Sequence, residues 1–318
     1  MPALVAVDST RLVADSTLWQ RIRRGWPRLQ QRSTCSFLDC LPVAHLRIPR
    51  PSEEAVRSVL GPAFDEDEAE NMMDVIGHRG ACLDAPENSL SAFRKCKEQG
   101  VKGVELDICL SKDGVAYAFH DDTFDRLTEA TGPVSSLTWS QVQELHIRPP
   151  PGHENEFEKE KIPSLAEALN TCLDLGLKVI IDVKYSTHQV RKEDPRIVFS
   201  MGFRPWYYSH RAFSGQQGPS SPRFRHFKHI LAVGLDLIMH WALMHILVDF
   251  LGISAILFVK DALHRYEVTR WKAKGVRVYA WTVNSPTAKR YFLEEVQVPI
   301  LTDTLFPSVR KKPSLVSS

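Results

Sequence analysis

The fold is decided by the stretch GVELDI at positions 103–108, in which apolar residues alternate with acidic ones. A period of two is typical of a β-strand, so the side chains of Glu105 and Asp107 lie on one face. A turn signal at 112–114 and a second short strand, which ends at His120, follow this segment. Carboxylates inside an apolar strand are rarely left without partners, which makes these residues the first candidates for a site.

Strand and helix patterns alternate outward from this segment. Apart from the hairpin that ends at His120, barrel strands are predicted near 75–78, 103–107, 179–184, 196–200, 253–259, 277–282 and 298–302. Helix signals lie between them, including one that starts at 86–89 and one over 164–175. This alternation predicts right-handed βαβ units, a mostly parallel sheet and therefore an α/β fold.

The composition excludes several classes of protein. Of the 318 residues, 43% are hydrophobic and 25% are charged, which is close to a soluble globular average and excludes disordered, collagenous and multi-span chains. The net charge of +2 creates no field that attracts nucleic acid. Six cysteines without a C-x-x-C motif indicate reduced thiols, not a disulfide framework or a zinc site.

The N-terminal part differs in character from the rest of the chain. Residues 1–70 carry scattered arginines, prolines and the acidic run 65–68, without the apolar core of a secretory signal. We therefore predict a poorly ordered N-terminal region over 1–70, a barrel domain over 71–310 and a tail over 311–318.

Carboxylates at the ends of two predicted strands indicate a metal site. Glu105 and Asp107 come from one strand and Asp182 from another, and oxygen ligands without cysteine suit a hard cation, Mg²⁺ or Ca²⁺. The alternative is that these carboxylates are salt-bridged structural residues.

Histidines and cations accompany the carboxylates. His78 follows the first strand and His120 ends the hairpin, so the pair is placed to act as general base and general acid. Arg79 and Lys184 flank the proposed metal, and such cations fit a phosphodiester. The alternatives are that the histidines are structural and that each cation pairs with a carboxylate of the metal site.

An ordered set of short motifs resembles the glycerophosphodiester phosphodiesterase family. The motifs are HRG at 78–80, PEN at 86–88, ELD at 105–107, HD at 120–121, DVK at 182–184 and WTVN at 281–284. The resemblance covers residues 74–307 and is greatest to the membrane-associated animal members that act on glycerophosphoinositol and on N-acyl glycerophosphoethanolamine.

This resemblance implies a TIM barrel of the phospholipase-C-like phosphodiesterase type and hydrolysis to glycerol 3-phosphate and an alcohol. It implies that a metal is bound by Glu105, Asp107 and Asp182, that His78 and His120 transfer protons, and that Arg79 and Lys184 hold the phosphate. Many relatives have glutamate at the position of Asp182, so the shorter side chain departs from the family pattern.

The chain also departs from the family after Lys184. Only eleven residues, 185–195, precede the next predicted strand, whereas the family has a helix, a strand and another helix there. The barrel is thus shortened by about one βα unit, leaving seven predicted strands where a TIM barrel has eight. We expect an open barrel in which the strands at 179–184 and 196–200 have unpaired edges.

A long apolar stretch at 230–259 indicates contact with lipid. Asp236 and His240 fall on one side of a helix and His245 and Asp249 roughly opposite, which is unfavourable for a lipid-facing span. Cations and aromatic residues precede the stretch, so we predict a helix on the membrane surface, at the plasma membrane or an intracellular membrane. The alternative is an ordinary helix that covers the barrel.

Two other functions remain open from the sequence. A shortened barrel favours a catalytically impaired isoform that binds or regulates, whereas the intact polar motifs favour the enzyme. A phospholipase D-like or phosphoinositide-cleaving enzyme of related barrel type is the third reading. The expected partners are a glycerophosphodiester or lysophospholipid-like substrate and a membrane surface. No nucleic-acid partner is expected, and no protein partner is inferred.

Overall fold

The structure, a computed structural model, describes residues 3–7, 48–61, 73–183, 198–211 and 221–305. The strands in these residues are β1 (Ala3–Val7), β2 (Val75–Gly77), β3 (Gly103–Leu110), β4 (Ala116–Ala118), β5 (Lys178–Val183), β6 (Val198–Phe203), β7 (Ile253–Val259), β8 (Arg277–Trp281) and β9 (Ile300–Thr302). The α-helices there are α1 (Glu53–Leu60), α2 (Leu90–Glu98), α3 (Trp139–Val142), α4 (Leu165–Asp174), α5 (His226–Ala242), α6 (Val248–Phe250), α7 (Arg265–Lys272) and α8 (Pro286–Arg290).

Two helices begin where the sequence predicts them, at Ser89 and at Ser164. The Ser89 hydroxyl accepts a hydrogen bond from the backbone N–H of Ala92 and caps α2. Ser164 and Glu167 form a capping box at the start of α4, and Gly176, with φ of 64°, follows its end. These caps satisfy backbone groups that a helix terminus leaves without partners, so short helices form at fixed positions beside the strands.

The sheet closes into a barrel. Its order is β2-β9-β8-β7-β6-β1-β5-β3-β4, and β2 also pairs with β3, so every strand except β4 belongs to a closed ring. All described pairings within the ring are parallel except those of β1, and β4 forms an antiparallel hairpin with β3. The α/β barrel predicted from the sequence is thereby confirmed, and its seven parallel strands match the seven predicted ones.

The gap in the barrel is filled from the N-terminus. β1 lies antiparallel between β5 and β6, where Val5 is opposite both Ile181 and Phe199. The expectation that these two strands have unpaired edges is therefore wrong. A connection over 184–197 is too short for the missing βα unit, but a distant segment needs no crossover and can enter antiparallel. This connection lies outside the described residues.

α1 closes the end of the barrel at which the parallel strands begin. Its buried residues Val56, Val59 and Leu60 pack against the interior side chains of the barrel. The Lys178 ammonium, at the start of β5, donates a hydrogen bond to the carbonyl of Ser58. The opposite end, where the parallel strands finish, is therefore the open mouth. Two described parts of the 1–70 region, β1 and α1, thus belong to the barrel.

One helical segment extends over His226–Phe250 and is named the long helix here. α5 and α6 are joined in it by a π-helical turn, and it is long and apolar enough to cross a membrane by length and composition. Its second half packs against the barrel through the buried residues Leu243, Met244 and Val248. α5 instead has a stripe of apolar side chains that are more than half exposed: Phe227, Ile230, Leu231, Leu237, Ile238 and Trp241.

The polar residues of the long helix divide between two sides, as the sequence predicts. Asp236 is buried, and its carboxylate accepts hydrogen bonds from the backbone N–H groups of Tyr208 and Ser209. His245 and Asp249 are exposed, and Asp249 pairs with Arg50. The helix is therefore attached to the barrel on one side only.

Candidate active site

Neighbouring strands bring the predicted metal-binding carboxylates together at the mouth. β3 and β5 are parallel neighbours in which Asp107 lies opposite Asp182, and Glu105 lies two residues earlier on the same face as Asp107. One oxygen of each carboxylate lies within 4.8 Å of the others. Glu105 and Asp107 are almost fully buried. The convergence predicted from the alternating pattern is therefore present.

The electrostatics of this cluster fit a cation. Burial, and next the charge of Asp107, raise the pKa of Glu105 to about 8, although His78 acts in the opposite direction. Three converging carboxylates repel one another, and a divalent ion with oxygen preference would remove that repulsion. Glu105, Asp107 and Asp182 therefore have the chemistry and the closeness to hold a divalent cation.

A tight turn after β2 holds the carboxylates in position. Arg79 has a left-handed backbone conformation with φ of 52°, and its N–H donates a 2.9 Å hydrogen bond to Glu105. The Asn88 amide donates to the carboxylate of Asp107 and accepts from the N–H of Asp107. Gly77 lets α2 pack closely against the start of this turn, because a Cβ at Gly77 would lie 2.5 Å from the Cys96 sulfur.

His78 is oriented by a carboxylate from the last strand. Its Nδ1 is 2.6 Å from Asp303, while its Nε2 is 3.9 Å from Glu105. Burial lowers the pKa of His78, but the hydrogen bond to Asp303 and the charge of Glu105 outweigh it, and the net pKa is raised. Burial opposes ionisation of Asp303, but its contact with His78 brings the pKa of Asp303 down to about 2. Asp303 thus fixes the ring so that Nε2 faces the carboxylates.

His120 has a matching arrangement on the other side of the cluster. Its Nδ1 is 2.7 Å from Asp121, and its Nε2 is 3.9 Å from Asp107. Arg126 donates hydrogen bonds to Asp121 and also two of 2.8 Å to Glu87. A planar guanidinium that bridges two carboxylates is a rigid link, so Arg126 fixes Asp121 and through it the ring of His120.

The structure gathers most of the predicted site residues at one place. The carboxylate cluster has His78 on one side and His120 on the other, and the Arg79 guanidinium lies 3.6 Å from Asp107 and 3.3 Å from Glu87. The second predicted phosphate ligand, Lys184, lies outside the described residues. A water or substrate oxygen between the two imidazoles would find a proton acceptor and a proton donor on opposite sides.

Sequence reasoning assigned no role to several residues that support this site. Asn88 and Asp121 stand inside the motifs that carry the resemblance, and Asp303 ends the last predicted strand, so a signal existed for each. Arg126 and its contact with Glu87, 39 residues away in the chain, had no such signal.

A family model matches residues 78–305, and its description is the glycerophosphoryl diester phosphodiesterase family. Among curated relatives, glycerophosphodiester phosphodiesterase 1 of Bos taurus is 34% identical over 291 residues, with 81% of this chain and 83% of that protein covered. The Homo sapiens protein of the same name is 33% identical over 267 residues and covers 73% of this chain and 78% of its own length.

Solved structures share the fold at low sequence identity. A phosphodiesterase of Oleispira antarctica, in complex with the product sn-glycerol-3-phosphate, has a TM-score of 0.50 at 20% identity, covering 72% of this chain and 92% of its own. A glycerophosphoryl diester phosphodiesterase domain from Mycobacterium tuberculosis has a TM-score of 0.50 at 17% identity, covering 72% and 95%. The family resemblance seen in the motifs is confirmed: the chain belongs to the glycerophosphoryl diester phosphodiesterase family and is a phosphodiester-hydrolysing enzyme.

Proposed function

We propose that the protein hydrolyses glycerophosphodiesters of the glycerophosphoinositol or N-acyl glycerophosphoethanolamine class, with Mg²⁺ or Ca²⁺, to glycerol 3-phosphate and an alcohol. The observation that carries the proposal is the carboxylate cluster with a carboxylate-oriented histidine on each side. The product named for the Oleispira antarctica phosphodiesterase supports the assignment of glycerol 3-phosphate.

The metal would be held by Glu105, Asp107 and Asp182, which supply oxygen ligands from adjacent strands. A bound divalent cation offsets charge on the phosphate oxygens and lowers the pKa of an attached hydroxyl or water. Arg79 and Lys184 are the proposed phosphate ligands. The guanidinium of Arg79 is already fixed beside the cluster by its contacts with Asp107 and Glu87.

The histidines are proposed to transfer the protons of the reaction. One imidazole accepts a proton from the attacking water while the other donates a proton to the alcohol oxygen as its bond to phosphorus breaks. Each ring has its Nδ1 on a carboxylate, Asp303 or Asp121, so each Nε2 is left to face the reacting groups. The geometry is symmetrical about the cluster, so the two imidazoles are placed for complementary roles.

The proposal is tested by the products formed from a panel of glycerophosphodiesters. The purified chain is incubated with each substrate after chelation and after addition of Mg²⁺ or Ca²⁺, and glycerol 3-phosphate is measured. We expect glycerol 3-phosphate only when a cation is added. Release of free glycerol with a phosphorylated alcohol would favour a different diesterase. Stabilisation by Mg²⁺ without turnover would favour the non-catalytic binding protein.

Replacement of either histidine is expected to remove most of the turnover. His78→Ala and His120→Ala should each reduce kcat by ~10²–10⁴, the usual contribution of a positioned acid or base. The control is His146→Ala, a half-buried histidine that pairs with Glu129 away from the cluster. Steady-state kinetics on the preferred substrate measures the effect. An unchanged kcat would reassign that histidine to a structural role.

Arg126 is expected to act by positioning His120. Arg126→Ala should lower kcat by ~10–100-fold, the usual cost of losing a group that orients a site residue, with little change in KM. Added guanidinium should restore part of the activity. Arg148→Ala is the matched control, since the exposed side chain of Arg148 donates hydrogen bonds to the carbonyls of Asp125 and Arg126 and so ties down the loop of Arg126 from outside. Equal losses in the two variants would mean that Arg126 merely holds the loop together.

A membrane surface is the proposed location of the enzyme. The exposed stripe of the long helix and nearby cations such as Arg225 and Lys228 suit apolar and anionic parts of lipid. Ile238→Asp should reduce co-sedimentation with phosphatidylcholine–phosphatidylserine vesicles at least ~10-fold, because it removes a side chain that the bilayer would bury. The control is Tyr266→Asp, at an exposed ring on α7. If Ile238→Asp binds vesicles as well as the wild type, this face of the long helix is not the membrane-binding surface.

A further inference from the structure

A pocket of about 170 Å³ lies between the end of β6 and the long helix, and it is named the rim pocket here. The residues that line it come from the segment after the strand and from one side of the helix. They are Phe203, Arg204, Pro205, Trp206, Asp236, Leu237 and His240. None of them belongs to the carboxylate cluster or to the residues that orient the histidines.

The topology places the rim pocket at the mouth of the barrel. Leu4 of β1 lies opposite both Asp182 and Ser200, so these two residues flank the same position of the strand between them. Phe203 is three residues further toward the mouth, which corresponds to ~10 Å along a strand. Phe203 packs with Leu243 in the apolar layer outside the strands, so the pocket is beside the mouth and not inside the barrel.

The walls of the rim pocket favour an apolar occupant. The ring of Phe203 lies 5.6 Å from that of His240 and 4.8 Å from that of Phe258. Both oxygens of Asp236 already accept hydrogen bonds from the backbone of the segment after β6. An apolar cavity of similar size, about 150 Å³, takes up benzene in another protein. The pocket therefore has room for part of an alkyl chain but offers its contents few polar partners.

One edge of the pocket is cationic and another is continuous with the exposed apolar surface. The guanidinium of Arg204 lies over the ring of Tyr207 at 5.2 Å. Trp206 and Leu237 are 45% and 56% exposed, so the pocket opens on the side of the apolar stripe. An amphiphile would match this arrangement if its polar end lay near the cationic edge at the mouth and its apolar end lay in the pocket.

We propose that the rim pocket binds the acyl chain carried by the alcohol part of an amphiphilic glycerophosphodiester. The proposal rests on the function proposed above and narrows its substrate class to the acylated one. The phosphodiester occupies the mouth, the chain leaves it over the end of β6, and Arg204 donates a hydrogen bond to the polar group where the chain begins. The pocket thus selects an acylated substrate over glycerophosphoinositol.

The first test is the dependence of turnover on chain length. N-acyl glycerophosphoethanolamines with acyl chains of two to twelve carbons are supplied as monomers, without vesicles, and kcat/KM is measured for each. Each buried methylene should raise kcat/KM roughly fourfold at most, until the pocket is full. A wild-type enzyme that treats all chain lengths alike would overturn the proposal.

A matched pair of tryptophan variants assigns the effect to the pocket. Leu237→Trp adds bulk at a lining residue, and Ile238→Trp adds the same bulk at the next residue, which is 63% exposed and outside the lining. Leu237→Trp should lower kcat/KM for the twelve-carbon substrate at least tenfold and leave the two-carbon substrate unchanged, while Ile238→Trp retains the full chain-length dependence. Equal losses on both substrates, or equal behaviour of the two variants, would contradict the proposal.

A binding measurement separates this proposal from the proposed function. 12-Bromododecanoic acid should quench the fluorescence of Trp206, and Trp206→Phe should remove that part of the quenching. Quenching without turnover of any glycerophosphodiester would refute the proposed function and leave an alkyl-binding pocket. Turnover without this quenching would refute the pocket. Quenching obtained only with brominated phosphatidylcholine vesicles would assign the pocket to a bilayer chain and overturn the assignment to substrate.

Discussion

Replacement of Glu105 by glutamine is expected to abolish hydrolysis and at the same time to raise the melting temperature of the metal-free protein. Turnover should fall at least ~10²-fold, because the loss of one negative charge weakens the binding of the cation and of the substrate oxygen beside it. The stability gain follows from burial and from the like charge of Asp107, which together raise the pKa of Glu105 to about 8. The neutral amide has neither penalty.

The pH dependence gives this expectation a definite sign. Between the ordinary value of 4.5 and about 8, the folded protein binds a proton at Glu105 that the unfolded chain releases. Stability of the metal-free protein therefore falls as pH rises through this interval, and the penalty is absent below it. The gain in Glu105→Gln should be larger at pH 8 than at pH 5, by melting in the presence of a chelator.

Two comparisons make the result interpretable. Glu98→Gln, at an exposed position at the end of α2, should change neither activity nor melting. Added Mg²⁺ should stabilise the wild type and not Glu105→Gln, since ligand binding to the folded state raises its stability.

Asp107→Ala and Asp182→Ala are expected to lose cation-dependent turnover as well. Full metal dependence in Asp182→Ala would require another third ligand.

Removal of residues 1–7 is expected to destabilise the barrel severely. β1 forms the only described link between β5 and β6, so its loss opens the ring and leaves two strand edges without partners. Ladder hydrogen bonds contribute ~1 kcal/mol each, and a strand paired on both sides supplies several of them. Against a total of ~5–15 kcal/mol, the deletion should lower the melting temperature by more than ~10 °C or cause aggregation.

Single substitutions test whether backbone pairing is the cause. Val5→Pro removes an N–H in the middle of β1, whereas Val5→Ala keeps it. We expect Val5→Pro to reproduce most of the loss in melting temperature and Val5→Ala to cause little, as measured by thermal melting and by cation-dependent turnover. Wild-type melting in Val5→Pro would show that the strand is dispensable.

An insertion after Lys184 provides a second test of the same idea. A helix–strand–helix unit placed there would supply the eighth parallel strand that the family pattern contains. We expect such a chain to be more stable and more active than the present one. In that chain Val5→Pro should have little effect, because the inserted strand takes the place of β1.

The sequence by itself determined the seven parallel strands and the residue types that meet at their ends. A period of two put Glu105 and Asp107 on one face, and parallel neighbours with polar ends had to bring Asp182 beside them. The same local logic placed Asp236 and His245 on opposite sides of the long helix. Such features depend on a few consecutive residues, whose spacing is fixed by backbone geometry.

Only the tertiary structure decided how the barrel closes and what orients the histidines. Strand pairing uses the backbone N–H and C=O groups, which do not depend on the side chains. No side-chain pattern in the sequence therefore predicts that Ala3–Val7 lies between β5 and β6. Asp303, whose carboxylate contacts the ring of His78, is 225 residues away from it in the chain, and Arg126 is 39 residues away from Glu87. These contacts exist because the closed ring brings distant strand ends and loops together at one mouth. Residues so far apart in the chain show no local pattern that predicts their contact.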